Sequence, residues 1–377
     1  MIAQLIRYVF VVCLLVTPFA SNAQEVYNEY QGTYRGEVLS ILEEQLREVP
    51  GTDTETLLQT ISVQVLDGPK EGQTLTIENE YLELEAGDKF YFNHNVYIDG
   101  TESYFVVNID RRDSLVLFFG LFVFTIIVFG GWQGLRSLVA LGGSFLAIFY
   151  VLLPGLVAGY NPLLLSSLVA SGVLFGAIFF THGFNRESAV AYGGTMLAVL
   201  LTGLLAYIAV GQAKLTGFVT DESVFLNFVT NGSLDFTGLL LGAIIIGVLG
   251  VLDDIAVTQA AVTTELFNSN KDIKPREVYQ KAIRVGREHV GALVNTLVLA
   301  YVGASLPLLM YFHLSELSFW SLLNSELFAT EIIRAIVGSI GLIMTVPIVT
   351  GLAVYFLRDY QPKHGHHHHG HSHGHRH

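Results

Sequence analysis

Residues 236–267 read FTGLLLGAIIIGVLGVLDDIAVTQAAVTTELF, an apolar, glycine-rich run with two adjacent carboxylates, Asp253 and Asp254, near its middle. A helix of about 20 apolar residues crosses the roughly 30 Å hydrocarbon layer of a bilayer. An Asp near the centre of such a helix costs about 2.5–3.5 kcal/mol on insertion scales, so it needs a partner or water. The stretch therefore reads as a membrane span that lines a working site.

Helical geometry separates the two acids. At about 100° per residue, Gly247, Gly250, Asp254, Thr258, Ala261 and Glu265 share a stripe about 80° wide, because spacings of three and four return to one face. Asp253 projects about 100° away, toward a neighbouring span, and Gln259 lies farther round. Adjacent carboxylates on one helix do not share a proton or a metal by default. The next span brings Arg287, His289, Asn295 and Thr296, of which Asn295 and Thr296 are expected to face the Thr258 to Glu265 half. Thr181, His182, Asn185, Arg186 and Glu187 surround another connection on the same side. The expected transport path or polar seam is thus Asp254, Asp253, Thr258, Gln259, Glu265, Arg287, His289, Asn295 and Thr296. The competing use of an intramembrane Asp is a hydrogen bond that only fixes helix packing.

The whole chain has a matching composition. Its 377 residues are 51% hydrophobic and 14% charged, with mean hydropathy +0.51, which excludes an ordinary soluble globular protein. Of the formal charge of −13, all resides in residues 24–113, which hold 19 acids and 6 bases. Such a surface argues against nucleic acid or anionic lipid as a partner, and suits cations or simple solubility.

Residues 1–23 read as a signal peptide: Arg7, an apolar core from Tyr8 to Val16, then Pro18 and Ser21-Asn22-Ala23 at a cleavage site. An uncleaved signal anchor is the alternative, and it leaves the next domain on the same outer side. Cleavage removes Cys13, the single cysteine, and with it disulfides, thiol catalysis and thiolate metal sites.

Residues 24–113 change to short alternating runs, such as Thr74-Leu75-Thr76-Ile77 and Lys89-Phe90-Tyr91-Phe92, broken by Asp67-Gly68, Gly87-Asp88 and Asp99-Gly100. This is a small extracytoplasmic β domain, beginning near Tyr34, with a short helix expected within Leu39 to Leu58. Strands near 61–66, 74–78, 89–98 and 103–109 would close a barrel, or form an open sheet that reads the same way.

Seven apolar segments follow, near 115–131, 135–153, 162–180, 188–210, 236–266, 289–312 and 333–357, making 114–357 a seven-helix transmembrane domain. Lys and Arg collect in cytoplasmic loops. Arg136, Arg186 and the group Lys271, Lys274, Arg276, Lys281, Arg284 and Arg287 all fall on the side opposite the exported domain. Arg334 breaks the rule, with Glu331 placed to pair with it. The basic linker 271–288 carries Val278, Ala282 and Val285 at helical spacing, so it reads as an amphipathic helix on the inner membrane face or as a solvated loop. Gly172 and Gly176, Gly238 and Gly242, Gly142-Gly143 and Gly193-Gly194 are expected at helix seams. Pro154, Pro162, Pro307 and Pro347 mark kinks or ends of spans.

The cytoplasmic tail, 358–377, carries nine of the 13 histidines: His364, His366, His367, His368, His369, His371, His373, His375 and His377. Neutral imidazoles on a flexible chain bind Zn, Ni, Co or Cu with little selectivity. The longest run is four, His366 to His369, which favours a native tail over a purification tag. No cofactor is required by this reading.

Enzymatic readings find less support. Intramembrane aspartyl cleavage needs carboxylates converging from two helices, and no second span has an acid at comparable depth. No G-x-S-x-G, P-loop or H-E-x-x-H pattern occurs.

The run from Gly250 through Asp253, Asp254, Thr258 and Gln259 to Glu265 resembles the signature span of the bacterial YibE/F-like membrane proteins. Gly286-Arg287-Glu288-His289, followed by Thr296, Tyr301, Gly303 and Leu306-Pro307-Leu308-Leu309, resembles that family's next span, and the likeness is expected to extend to the β domain. The resemblance implies a multi-span protein, with Asp254 at the characteristic acidic position and Asp253 at a more variable one. It implies no biochemical activity, and the histidine tail departs from it. The expectation is a multi-pass protein of the cytoplasmic membrane, moving a small solute or ion past Asp254. The alternative is a non-transporting scaffold whose β domain binds an envelope protein.

Overall fold

The computed structural model describes residues 30–48, 55–80, 82–97, 100–270 and 272–358, in two compact units divided between Val128 and Phe129. The expected signal peptide and the histidine tail from His364 to His377 lie outside the described residues, as does Lys271.

The first unit holds β1 (Tyr30–Glu48), β2 (Glu55–Val65), β3 (Thr74–Asn79), β4 (Lys89–Val96) and β5 (Glu102–Ile109), in the order β3-β2-β1-β4-β5 with every neighbour antiparallel. Alternating side chains bury Ile61, Val63 and Val65 of β2 and Phe90 and Phe92 of β4, together with Val38, Ile77 and Leu84. Asp67-Gly68 forms the expected turn, with Gly68 at φ 85°, a region that glycine enters without a Cβ clash. β3 and β5 approach but share no ladder, so the sheet is a half-barrel, not a closed barrel. Side chains bridge the gap instead: Lys70 Nζ, beyond β2, donates to the Glu102 carboxylate and to the Tyr104 hydroxyl (2.8 Å) on β5.

One expectation is overturned here. No helix occupies the described part of Leu39 to Leu58, because β1 runs to Glu48 and pairs with β2, Glu48 opposite Glu55. The stretch is rich in helix formers, but pairing with a strand distant in sequence satisfies its backbone. Register shifts at Val38/Ser40 and Ile41/Glu43 also break the two-residue period that marks a strand.

The helical elements are α1 (Arg112–Ala147), a π-helical turn at Ile148–Leu152, α2 (Leu153–Val157), α3 (Pro162–His182), α4 (Arg186–Gln212), α5 (Asp221–Val229), α6 (Phe236–Ser269), α7 (Pro275–Ala304), α8 (Leu306–Leu314), α9 (Phe319–Leu323) and α10 (Glu326–Phe356). Gly131 leaves the helical region at φ 53° and ψ −138°, so α1 is two helices meeting at a kink. Among the described residues, five helical runs are long and apolar enough to cross a membrane, counting Arg112–Val157 once. A sixth is the pair α7 and α8, bent by 63°. Pro307 sits just beyond that bend, whereas Pro347 is accommodated inside α10.

In the second unit α6 is central, packed against α3, α4, α7 and α10. Small residues allow the close approach: a Cβ on Gly238 would lie 2.8 Å from Pro162 of α3, and one on Gly242 would strike the Ser166 hydroxyl. Gly194 of α4 meets Val349 of α10 in the same way, at 2.6 Å. Gly172, Gly176, Gly142, Gly143 and Gly193, expected at seams, meet nothing within 4 Å among the described residues. The buried hydroxyls of Thr195, Thr202, Thr263, Thr264, Thr345 and Thr350 each donate to a carbonyl four residues back, so they need no outside partner.

The basic linker, expected as an amphipathic helix or a solvated loop, is helical from Pro275 onward. It is the first part of α7, continuous with the following span, and its apolar face packs on other helices. Val278 and Ala282 are fully buried and Gly286 is buried too, since a spacing of four keeps them on one face. Val285 falls on the exposed side.

Candidate functional site

The small and polar stripe is the face of α6 that the bundle leaves open. Gly247, Gly250, Asp254, Thr258 and Glu265 are exposed and Ala261 is half-buried. Val248, Leu249, Leu252, Ile255 and Ala256, at the intervening positions, are buried against neighbouring helices. A period of 3.6 residues sorts one sequence into these two faces.

Asp253 follows the other face. It is half-buried, and its Oδ1 is buried with no hydrogen-bond partner. Leu249, four residues before it, belongs to an apolar cluster with residues of α3, α4, α7 and α10, and Ala256, three residues after it, to one with Ala191 of α4 and Val349 of α10. Asp253 therefore turns off the open stripe toward the packed side of the bundle, at the relative angle that helical geometry sets.

Gln259 leaves the seam to which sequence reasoning assigned it. It is buried, and its Nε2 donates to the Ala282 carbonyl of α7 and to the Thr350 hydroxyl of α10, both at 2.8 Å. One amide thus ties three helices together.

The α3–α4 turn supplies the polar groups facing the stripe. Gly183, at φ 83°, ends α3, and Asn185 caps α4 by accepting from the Ser188 N–H at 2.7 Å. The turn leaves a cavity of about 180 Å³ lined by His182, Asn185, Glu187, Ser188, Ala191 and Val257. Val257 of α6, the residue before Thr258 of the stripe, lines this same cavity. Stripe and turn together form a row of groups able to exchange protons or attract a hydrated cation. Among the described residues, no three His, Cys, Asp or Glu side chains converge as a metal site.

The α7 residues are placed differently from expectation. Gln259 meets Ala282 and Gly286, and Gly247 meets Tyr301, whose hydroxyl lies 3.3 Å from where a Cβ on that glycine would be. In this antiparallel register Asn295 and Thr296, between Gly286 and Tyr301, are level with the Gly250 part of the stripe, not with the Thr258 to Glu265 half. Both are exposed, and Thr296 donates to the Ala292 carbonyl at 3.0 Å. Arg287 and His289 are exposed farther toward the start of α7. Glu331 and Arg334 pair as expected, at 2.9 Å.

Sequence reasoning did not single out Tyr301 or Ser188 as site residues. For Tyr301 the available signal was its place just before Gly303 and Pro307, at the end of a helix about to bend.

No curated protein and no solved structure matches the chain. The family model described as YibE/F-like protein matches residues 118–359, leaving the β unit outside the match. That is well over half of the sequence, and the chain belongs to the YibE/F-like protein family.

Proposed function

We propose that this protein is a multi-pass protein of the cytoplasmic membrane that moves a small solute or ion, with Asp254 as the group that takes up a proton or contacts a cation. One observation carries the reading: the most enclosed helix of the bundle keeps its only open face for Asp254, Thr258 and Glu265, opposite a cavity bearing His182 and Glu187. A carboxylate at such depth is costly against lipid and useful against water or a cation. Thr258 and Glu265 flank the path, and Asp253 is a half-buried neighbour turned off the stripe.

Seven spans fit the chain best. The run Arg112–Val157 has 46 residues, about 69 Å as helix, or twice the hydrocarbon thickness. The kink at Gly131 divides it into two lengths that each suffice. Seven spans put the β unit outside and the end of α10 inside; six would put them on one side. Single-cysteine labelling at Asp113 and Arg358, with Cys13 replaced, separates the two counts.

The transport test is flux in proteoliposomes under an imposed pH gradient, comparing the parent with Asp254→Asn for protons and a panel of cations. Equal flux in both variants would sink the role of Asp254.

A scaffold function is the second reading. It is favoured by the β1–β2 hairpin, which exposes Leu39, Leu42 and Leu46 at 47%, 58% and 69%. An apolar row of that kind is a natural surface for an envelope protein. Absence of flux for every cation tested, with a partner captured in a Leu42- and Leu46-dependent manner, decides for the scaffold.

A further inference from the structure

Three side chains of the β unit converge on one carboxylate oxygen. Glu102 Oε2, on β5, accepts from Lys70 Nζ and from the Tyr104 hydroxyl, and His94 Nε2 of β4 lies 3.7 Å from the same atom. Lys70 also donates to the Tyr104 hydroxyl at 2.8 Å, so it bridges the gap that β3 and β5 leave open. His94 is only 7% exposed, its ring stacks on that of Tyr104 with centroids 5.0 Å apart, and its Nε2 is buried with no hydrogen-bond partner among the described residues. The hollow beside the ring is about 10 Å³, no more than one water needs, so it is not a ligand site. The titratable groups around the ring are Glu102 and Tyr104 of β5, Lys70 and Asp67 of the β2–β3 turn, and Tyr34 of β1, whereas β3 adds only Leu75. Arg35 already answers Asp67 at 2.6 Å, which leaves Glu102 as the carboxylate that faces His94.

We propose that His94 is a proton-operated release for the Lys70 bridge: neutral, it leaves Glu102 to Lys70, and protonated, it takes Glu102 for itself. Imidazole is the side chain that ordinarily changes charge between pH 5 and 8. An imidazolium N–H facing a carboxylate forms a charge-assisted hydrogen bond at about 2.7–2.9 Å, so Glu102 must move inward by about 1 Å to meet it. That movement draws Glu102 away from Lys70. Two cations against one carboxylate also repel each other, and they differ in freedom to leave. His94 stands on a strand with its ring stacked, whereas Lys70 has a flexible stem and is partly exposed to water. Lys70 is therefore the one released, left with the uncharged Tyr104 hydroxyl alone. Its partners do not titrate in the same interval: the hydrogen bond from Lys70 holds the Glu102 carboxyl below the ordinary carboxylate range, and the one to Glu102 holds the Lys70 amine above its own. The device belongs to the β unit and stands whether or not the helical unit transports.

The test is electron paramagnetic resonance of the full-length protein in nanodiscs, with Cys13 replaced and a nitroxide on Glu71→Cys, an exposed position next to Lys70. Lowering the pH from about 8 to about 5 should raise the mobile fraction of the label about threefold, the scale of one partly exposed ion pair. His94→Gln, which keeps a polar side chain without the titration, should hold the label immobile throughout. His94→Phe, which keeps the stack on Tyr104, should do the same and serves where the Gln variant does not fold. Lys70→Met should give a mobile label at every pH. A parent protein whose label does not respond to pH would overturn the proposal, as would a pH response that survives in either His94 variant. A label that becomes less mobile at low pH would overturn it too, since His94 would then be a third donor that tightens the bridge.

Discussion

In the β unit Asp67 meets Arg35, Glu80 meets Arg47 and Glu102 meets Lys70, whereas in the helical unit no ion pair among the described residues includes Asp254, Glu265 or Glu187. The same side chains thus do different work. In the β unit each of those carboxylates holds a turn or a strand edge in place, and its charge is spent on the protein itself. On α6 the carboxylates of Asp254 and Glu265 are exposed on a helix otherwise apolar, where a charge in a membrane span needs water or a partner to offset its cost. A bound acid in the first unit is a structural part; an open acid in the second is available for function.

The comparison can be broken most directly at the paired positions Asp254 and Asp67. Asp254→Asn should lower gradient-driven flux by at least about tenfold while the thermal midpoint of the purified protein stays put, since losing a proton-exchange group costs a step and not a contact. Asp67→Asn should leave flux unchanged. The reverse pattern in proteoliposome flux and thermal scans would show that the open acid is structural.

Packing offers the next test, contrasting covered and open glycines on one helix. Gly242→Val places atoms into Ser166 and should destabilise by about 1–3 kcal/mol, whereas Gly250→Ala enters open space and should change stability by about 1 kcal/mol or less, in the stabilising direction. Both read out as shifts in thermal midpoint. Gln259→Leu should cost about 1–2 kcal/mol, because it leaves the Ala282 carbonyl and the Thr350 hydroxyl without their shared donor. A Gln259 variant that keeps its stability but loses flux would return this residue to the seam.

The smallest effect concerns acid in the β unit. Burial pushes the Asp67 carboxyl up, but the Arg35 backbone N–H, its guanidinium and its charge together outweigh burial and hold the group below the ordinary carboxylate range. A lowered folded-state value means stability that is present above the unfolded-state value and lost as pH falls through the folded one. The pair is partly exposed, so the loss should be on the order of 0.5 kcal/mol and appear below about pH 4. Hydrogen exchange at the Arg35 and Leu66 amides reads it locally; Asp67→Asn, which removes the titrating group, should abolish the pH dependence there, whereas Arg35→Ala keeps the backbone N–H and should only weaken it.

Much of this architecture was legible because it depends on local chemistry. The existence of long apolar helices, the Asp67-Gly68 turn, the strands expected near 74–78 and 89–98 and found at 74–79 and 89–96, and the Glu331–Arg334 pair all follow from periodicity, turn residues and spacing within one element. The stretch Leu39 to Glu48 was misread because its fate depends on β2; the helix of the linker before His289 was legible in its spacing, but not what Val278 and Ala282 pack against, because those partners lie on other helices.

For the site, the sequence by itself determined that Asp254, Thr258 and Glu265 share a face and that Asp253 cannot join them, since rise and rotation per residue are properties of any α-helix. Only the tertiary structure decided which way that face points. A helical period gives relative angles and no absolute direction, so neither the openness of the Asp254 stripe, nor the burial of Gln259, nor the level of Asn295 could be read in advance. The His182 to Glu187 turn faces α6 through packing between elements distant in the chain, and its cavity exists only there.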